Sequence, residues 1–284
     1  LDLDSIEKIV QSLKDDIKKI TIGEKPVELK PTFEDMVFVK GGKYQPSFTD
    51  EEKEVSNLEV CKYLTTQKLW QELIRNNPAN FKGDENRPIE YISWWHALEF
   101  CNRLSEKYGL RPVYNLGKSD QGLLMINQLD GTVVSPDVAD FNKTEGFRLP
   151  TEVEWEWFAR GGQVALDNGT FDYTYSGSNN IYDVAWYTGN SKDTTQSVGL
   201  KMPNVLGLYD CNGNVWEWCY DTTESIESGK SYVYKAYDHS NVYRRLKGGS
   251  WCNNTEVCAV AVRGNSQATY AYSNAGFRIV RTVL

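Results

Sequence analysis

The sequence predicts an α+β domain with few helices, short strands and long loops. Three observations carry that prediction. Capped segments with helical apolar spacing are few, and beyond residue 109 short apolar runs alternate with stretches rich in Gly, Asn, Asp and Tyr. The chain is also 40% hydrophobic and 13% aromatic, with 9 Trp and 17 Tyr, which is ample material for a packed core.

In chain order, residues 4–20 read as an amphipathic helix. Asp4 can cap it, Glu7 stands three positions on, and Ile6, Ile9, Val10, Leu13, Ile17 and Ile20 recur at helical spacing. Pro26 and Pro31 mark an extended connector. Residues 1–30 are thus predicted to be an appendage, and 31–284 the main domain. Met36 to Val39 read as a short buried strand that ends at Gly41-Gly42.

Thr65 or Thr66 is positioned to cap a helix carrying Leu69, Trp70, Leu73 and Ile74, which stops before Pro78. Ser93 caps a second, with Trp94, Ala97, Leu98, Cys101 and Leu104 on one side and Gly109 as its stop. Thr151 to Glu154 form a capping box for a third, short helix that Gly161-Gly162 should end. Gly213 to Trp218 alternate polar and aromatic side chains, the pattern of a half-buried strand after a glycine turn. Cys258 to Ala261 read as a short core strand.

A net charge of −8 and a pI near 5.0 provide no basic face for nucleic acid or an anionic membrane. No apolar run approaches a membrane span, and the first residues lack the pattern of a signal peptide. The six cysteines are compatible with core thiols or with one or two disulfides. The two histidines, His96 and His239, lie beside no nucleophile motif, and phosphate-loop, dinucleotide and histidine-rich zinc patterns are absent.

Four segments then occur in order: Phe38 to Gly42, Phe147 to Glu156, Gly207 to Trp218, and Gly248 to Trp251 with a closing Gly276-Phe277-Arg278. From about Phe33 to the end, the chain resembles the sulfatase-modifying, formylglycine-generating-enzyme family. That resemblance implies a C-type lectin fold. It also implies a structural calcium near Asp210, with the carbonyls of Cys211, Gly213 and Val215 as partners. The Glu-Pro-Asn, Gln-Pro-Asp and Trp-Asn-Asp triplets by which calcium-dependent lectins read sugars do not occur.

The family's enzymes bind copper through two C-terminal cysteines and oxidise a substrate cysteine. Here Cys258 matches the second of those positions, but Cys252 falls one residue before the first. In an extended segment such a displacement turns a side chain to the opposite face, so the sequence argues against a converging pair and against an enzyme. A copper-dependent oxidase is the alternative reading.

Between Trp251 and Gly276 the chain is dominated by Asn, Ser, Gly and Tyr, the composition of an antibody combining loop. On composition alone an ordinary polar loop is the plainer reading. The Gly-Gly-Ser-Trp opening, central Cys-Ala-Val-Ala and Gly-Phe-Arg close, however, resemble the variable region of proteins diversified by retroelements that randomise template adenines. The resemblance implies a variable segment at about 251–275. Its varying sites would be Cys252, Asn253, Asn254, Val257, Val262, Gly264, Asn265, Ser266, Tyr270, Tyr272, Ser273 and Asn274.

On that reading Trp251, Cys258, Arg263 and Phe277 hold the backbone, and Tyr270 and Tyr272 dominate binding. The expected protein is a non-enzymatic, monomeric binder of an unidentified protein or cell-surface ligand. It is carried on the cell surface by a lipid anchor that lies outside this sequence.

Overall fold

The computed structural model describes residues 34–116, 124–223, 226–227, 230–231 and 243–284. The helix expected over 4–20, its connector and His239 lie outside the described residues.

Strands β1 (Met36–Val39), β4 (Leu58–Cys61) and β14 (Val280–Thr282) form an antiparallel sheet in the order β1-β4-β14, so the last strand pairs with a strand from early in the main domain. Phe38 is 55% exposed, so β1, at the edge of its sheet, is not buried throughout as expected. β2 (Gly42–Tyr44) and β3 (Lys53–Val55) make a hairpin between them.

Helix α1 (Gln67–Ile74) is capped by Thr66, whose side chain accepts from the Leu69 N–H, and it ends at Arg75 in the left-handed region. Helix α2 (Trp94–Lys107) is capped by Ser93; the Ser93 hydroxyl accepts from the His96 N–H while His96 Nδ1 accepts from the Ser93 N–H. Both follow the sequence prediction, since caps are decided by neighbours in the chain. β5 (Tyr114–Leu116), β6 (Leu124–Asn127) and β7 (Val133–Val134) form a small meander.

The Thr151 capping box opens α3 (Glu152–Ala159), with the Thr151 hydroxyl on the Glu154 N–H and Glu154 on the Thr151 N–H. Gly161, at φ 95°, then redirects the chain and a further short helix follows, α4 (Gly162–Asn168), where only a stop was expected. A third short helix, α5 (Ile181–Val184), is capped by Asn180.

The central sheet has the order β12-β11-β8-β13, built from β8 (Trp216–Thr222), β11 (Tyr243–Lys247), β12 (Arg263–Gln267) and β13 (Ala275–Gly276). Between β8 and β11 lies the two-residue ribbon β9 (Ile226–Glu227) and β10 (Lys230–Ser231). β8 pairs antiparallel with β11 and parallel with β13. It was expected to be half-buried, but from Glu217 onward it is buried on both faces. Trp218 and Tyr220 enter one core with Trp94 of α2, while Cys219 enters another with Trp155 of α3. A strand covered on both sides by helices needs no polar face.

Buried ions tie the layers together. Arg278 donates to Glu217 at 3.0 and 3.1 Å and to the carbonyls of Cys61, Lys62 and Tyr209. Arg148 pairs with Glu154 at 2.7 Å. All six cysteines are free thiols, so none of the disulfides the sequence permitted is formed.

Candidate ligand-binding face

Residues 251–262 run in consecutive turns. The core strand expected over Cys258 to Ala261 is one of them: the Cys258 N–H donates to the carbonyls of Asn254 and Thr255, and the Ala259 N–H to that of Glu256. Four apolar residues suit a buried turn as well as a strand, and Cys258 and Val260 are buried while Ala261 is exposed.

The main chain of this segment is held from outside it. Asn212 Nδ2 donates to the Cys258 carbonyl at 2.6 Å, the Ser191 hydroxyl to that of Trp251 at 2.8 Å and the Tyr175 hydroxyl to that of Thr255 at 3.2 Å. The Thr188 N–H reaches the Asn253 carbonyl, the Val260 N–H the Thr174 carbonyl, and the Trp251 N–H the Asn214 carbonyl. Further along, Trp251 Nε1 donates to the Ser273 carbonyl at 3.0 Å, and the N–H groups of Trp216 and Tyr91 to the carbonyls of Asn274 and Tyr272. None of these bonds uses a side chain from the twelve candidate positions.

Those side chains mostly face outward. Cys252, Asn254, Asn265, Tyr270 and Tyr272 are exposed, and Asn253, Val257, Val262, Gly264, Ser273 and Asn274 are partly so. Some make local contacts: Asn253 Oδ1 accepts from the Ser250 hydroxyl at 2.6 Å, and Asn254 Oδ1 from the Val257 N–H at 3.1 Å. Asn274 Nδ2 lies 3.5 Å from Cys252 Sγ, and the rings of Tyr270 and Tyr272 meet edge to face at 6.0 Å.

Two positions depart from the expectation. Ser266 is buried, at 8% exposure. It sits on β12 opposite Arg244, and a strand sends successive side chains to opposite faces, so Asn265 and Ser266 cannot both look outward. Gly264 shares the Ser266 side; a Cβ there would come within 3.1 Å of the Trp216 ring and 3.2 Å of Leu246 Cβ, so a side chain there needs these neighbours to give slightly.

The residues expected to hold the backbone are so placed. Cys258 and Phe277 are buried, and Arg263 forms a fork to the buried Glu152 at 2.6 and 2.9 Å. Gly249, at φ 73°, lets Cys258 come so close that a Cβ would meet its Sγ at 2.7 Å.

The two cysteines require a further correction. Both sulfurs flank Ser250, its hydroxyl 3.4 Å from Cys252 Sγ and its carbonyl 3.8 Å from Cys258 Sγ. The expectation that one residue of displacement turns Cys252 away presupposed extended backbone, and these residues are turns. Burial pushes the Cys258 thiol up to about 12, which keeps it protonated at neutral pH in the metal-free protein.

At Asp210 one carboxylate oxygen accepts from the Gly199 N–H at 2.7 Å, and the other is buried without a hydrogen-bond partner. One free oxygen is a partial fit to calcium, which takes six to eight. Among the described residues no three His, Cys, Asp or Glu side chains cluster for a metal. Asp210 would have to be completed by backbone carbonyls.

A loop-rich α+β scaffold with a short central sheet, displaying a C-terminal segment, is the C-type lectin fold in its formylglycine-generating-enzyme form. Residues 22–283 match the model of the sulfatase-modifying factor enzyme 1-like domain, and the chain belongs to that family. It is 34% identical over 269 residues to the chaperone protein LppX of Paenibacillus barcinonensis, covering 88% of this chain and 90% of that one. The solved structure of Treponema denticola variable protein 1 superposes with a TM-score of 0.68 at 33% identity, over 87% of this chain and 95% of that one. The formylglycine-generating enzyme of Streptomyces coelicolor is 31% identical over 153 residues, about half of each chain.

Proposed function

We propose that this protein is a non-enzymatic binder whose ligand face is formed by side chains of residues 251–275. One observation carries the reading: framework groups fix the main chain of the segment, while ten of the twelve candidate positions bear side chains that are at least partly exposed. Such a division lets the side chains change without loss of the fold. The likeness to a variable protein supports the finer reading, that the segment is diversified by a retroelement.

On this reading the protein acts as a monomer at the cell surface, carried by a lipid anchor, and its ligand is a protein or another surface molecule. Nucleic acid is not among its partners, given a net charge of −8. A near copy of the DNA encoding residues 251–275, differing only at adenines and adjoining a reverse transcriptase gene, is expected in the source genome. A genome without either contradicts the diversified reading.

The two sulfurs beside Ser250 favour one second reading, a copper-dependent oxidase of peptide cysteine. Titration with copper(I), together with an assay for conversion of a cysteine-containing sulfatase peptide, separates the two. A binder gives no turnover. Turnover that Cys258→Ser abolishes overturns the proposal.

A further inference from the structure

We infer that the ligand face extends beyond the C-terminal segment, and that Tyr91, from the loop before α2, is a fixed contact residue for a folded protein partner. The inference rests on the reading of 251–275 as the ligand face.

Residues 89–94 run alongside 268–276. The Tyr91 N–H donates to the Tyr272 carbonyl at 2.8 Å and the Trp94 N–H to the Ala268 carbonyl at 3.1 Å, and a Cβ on Gly276 would strike the Ile89 carbonyl. The same loop is pinned at its far end, where the buried Glu90 carboxylate accepts from the Phe81 N–H at 2.8 Å and the Phe81 ring meets Trp251 edge to face at 5.2 Å. These ties bring the main chain of Tyr91 beside that of Tyr272.

Its conformation is costly. Tyr91 has φ 62°, a left-handed setting that a bulky side chain seldom adopts and that glycine adopts freely. Yet the residue is 51% exposed, so core packing does little to compensate for the backbone setting. Strain held at an exposed aromatic beside a candidate binding face is the pattern of a functional residue.

The chemistry points to a protein surface. Tyr91, Tyr270 and Tyr272, at 51%, 49% and 41% exposure, are aromatic bodies with polar tips set among Asn and Ser, the composition that reads protein epitopes. A small molecule calls for an enclosed pocket. One cavity, of about 560 Å³ and lined by Cys61, Tyr63, Leu69, Glu72, Lys107 and Tyr108 among others, includes neither Tyr91 nor any residue of 251–275.

The test displays the full chain with random side chains at Cys252, Asn254, Val257, Asn265, Ser273 and Asn274, selects against hen lysozyme as the probe protein, and then places Tyr91→Gly and Tyr91→Phe in the selected clones. Tyr91→Gly should weaken lysozyme binding at least ~10-fold in most clones while leaving the melting temperature unchanged or raised, and Tyr91→Phe should keep most of the affinity. A smaller loss of binding overturns the inference, as does a fall in melting temperature that accounts for it. If no clone binds lysozyme, the binding-face reading itself fails and takes this inference with it.

Discussion

Tyr270 and Tyr272 carry the largest exposed rings within 251–275, and their edge-to-face contact is with each other rather than with the core. Truncating either to Ala should cost a bound protein ligand about 1–3 kcal/mol and leave the melting transition in place, which titration calorimetry and thermal unfolding can check together. Arg278 behaves in the opposite way: it is fully buried against Glu217, so Arg278→Met strands a carboxylate and should destabilise the fold by about 3–5 kcal/mol in urea unfolding. Glu90 supplies a pH signal. Burial raises its pKa above the ordinary carboxylate range, with the N–H groups of Phe81 and Asn80 pulling it back in part. A carboxyl whose folded pKa is raised contributes stability at pH below its unfolded value and loses it as pH rises through the folded one. Melting temperature should therefore decline with rising pH across that window, and Glu90→Gln should flatten the decline while retaining an acceptor for Phe81. An unchanged slope contradicts the assignment.

Among elements, β12 offers the sharpest contrast. Asn265 faces outward and Ser266 lies buried opposite Arg244, so exchanging Asn265 for Tyr should change stability by less than about 0.5 kcal/mol. The same exchange at Ser266 should cost about 1–3 kcal/mol by overpacking, as measured by denaturant unfolding of the two variants. The helices α1, α2 and α3 were legible because Thr66, Ser93 and Thr151 act on N–H groups three residues away. Elements set by distant partners were not legible. Full burial of β8 depends on Trp94 and Trp155 from two different helices, and the alternation that hides Ser266 follows from pairing with β11. The turn at Cys258 is fixed by Asn212, which stands 46 residues away in the chain.

For the whole molecule, the family and its fold could be read from four ordered segments, because each performs a local structural task that few sequences meet. That most candidate side chains within 251–275 lie at the surface was also legible, from composition and the Gly-Gly-Ser-Trp opening. The pairing of residues 89–94 with 268–276, on which the role proposed for Tyr91 rests, was not. The central claim is that one framework carries interchangeable side chains. It is tested most directly by thermal unfolding of a panel of full-length clones with simultaneous random substitutions at Cys252, Asn254, Val257, Asn265, Tyr270 and Tyr272. The account predicts cooperative transitions clustered within about 5 °C of the parent, the scatter expected of surface substitutions. Loss of cooperative unfolding in most clones would contradict it.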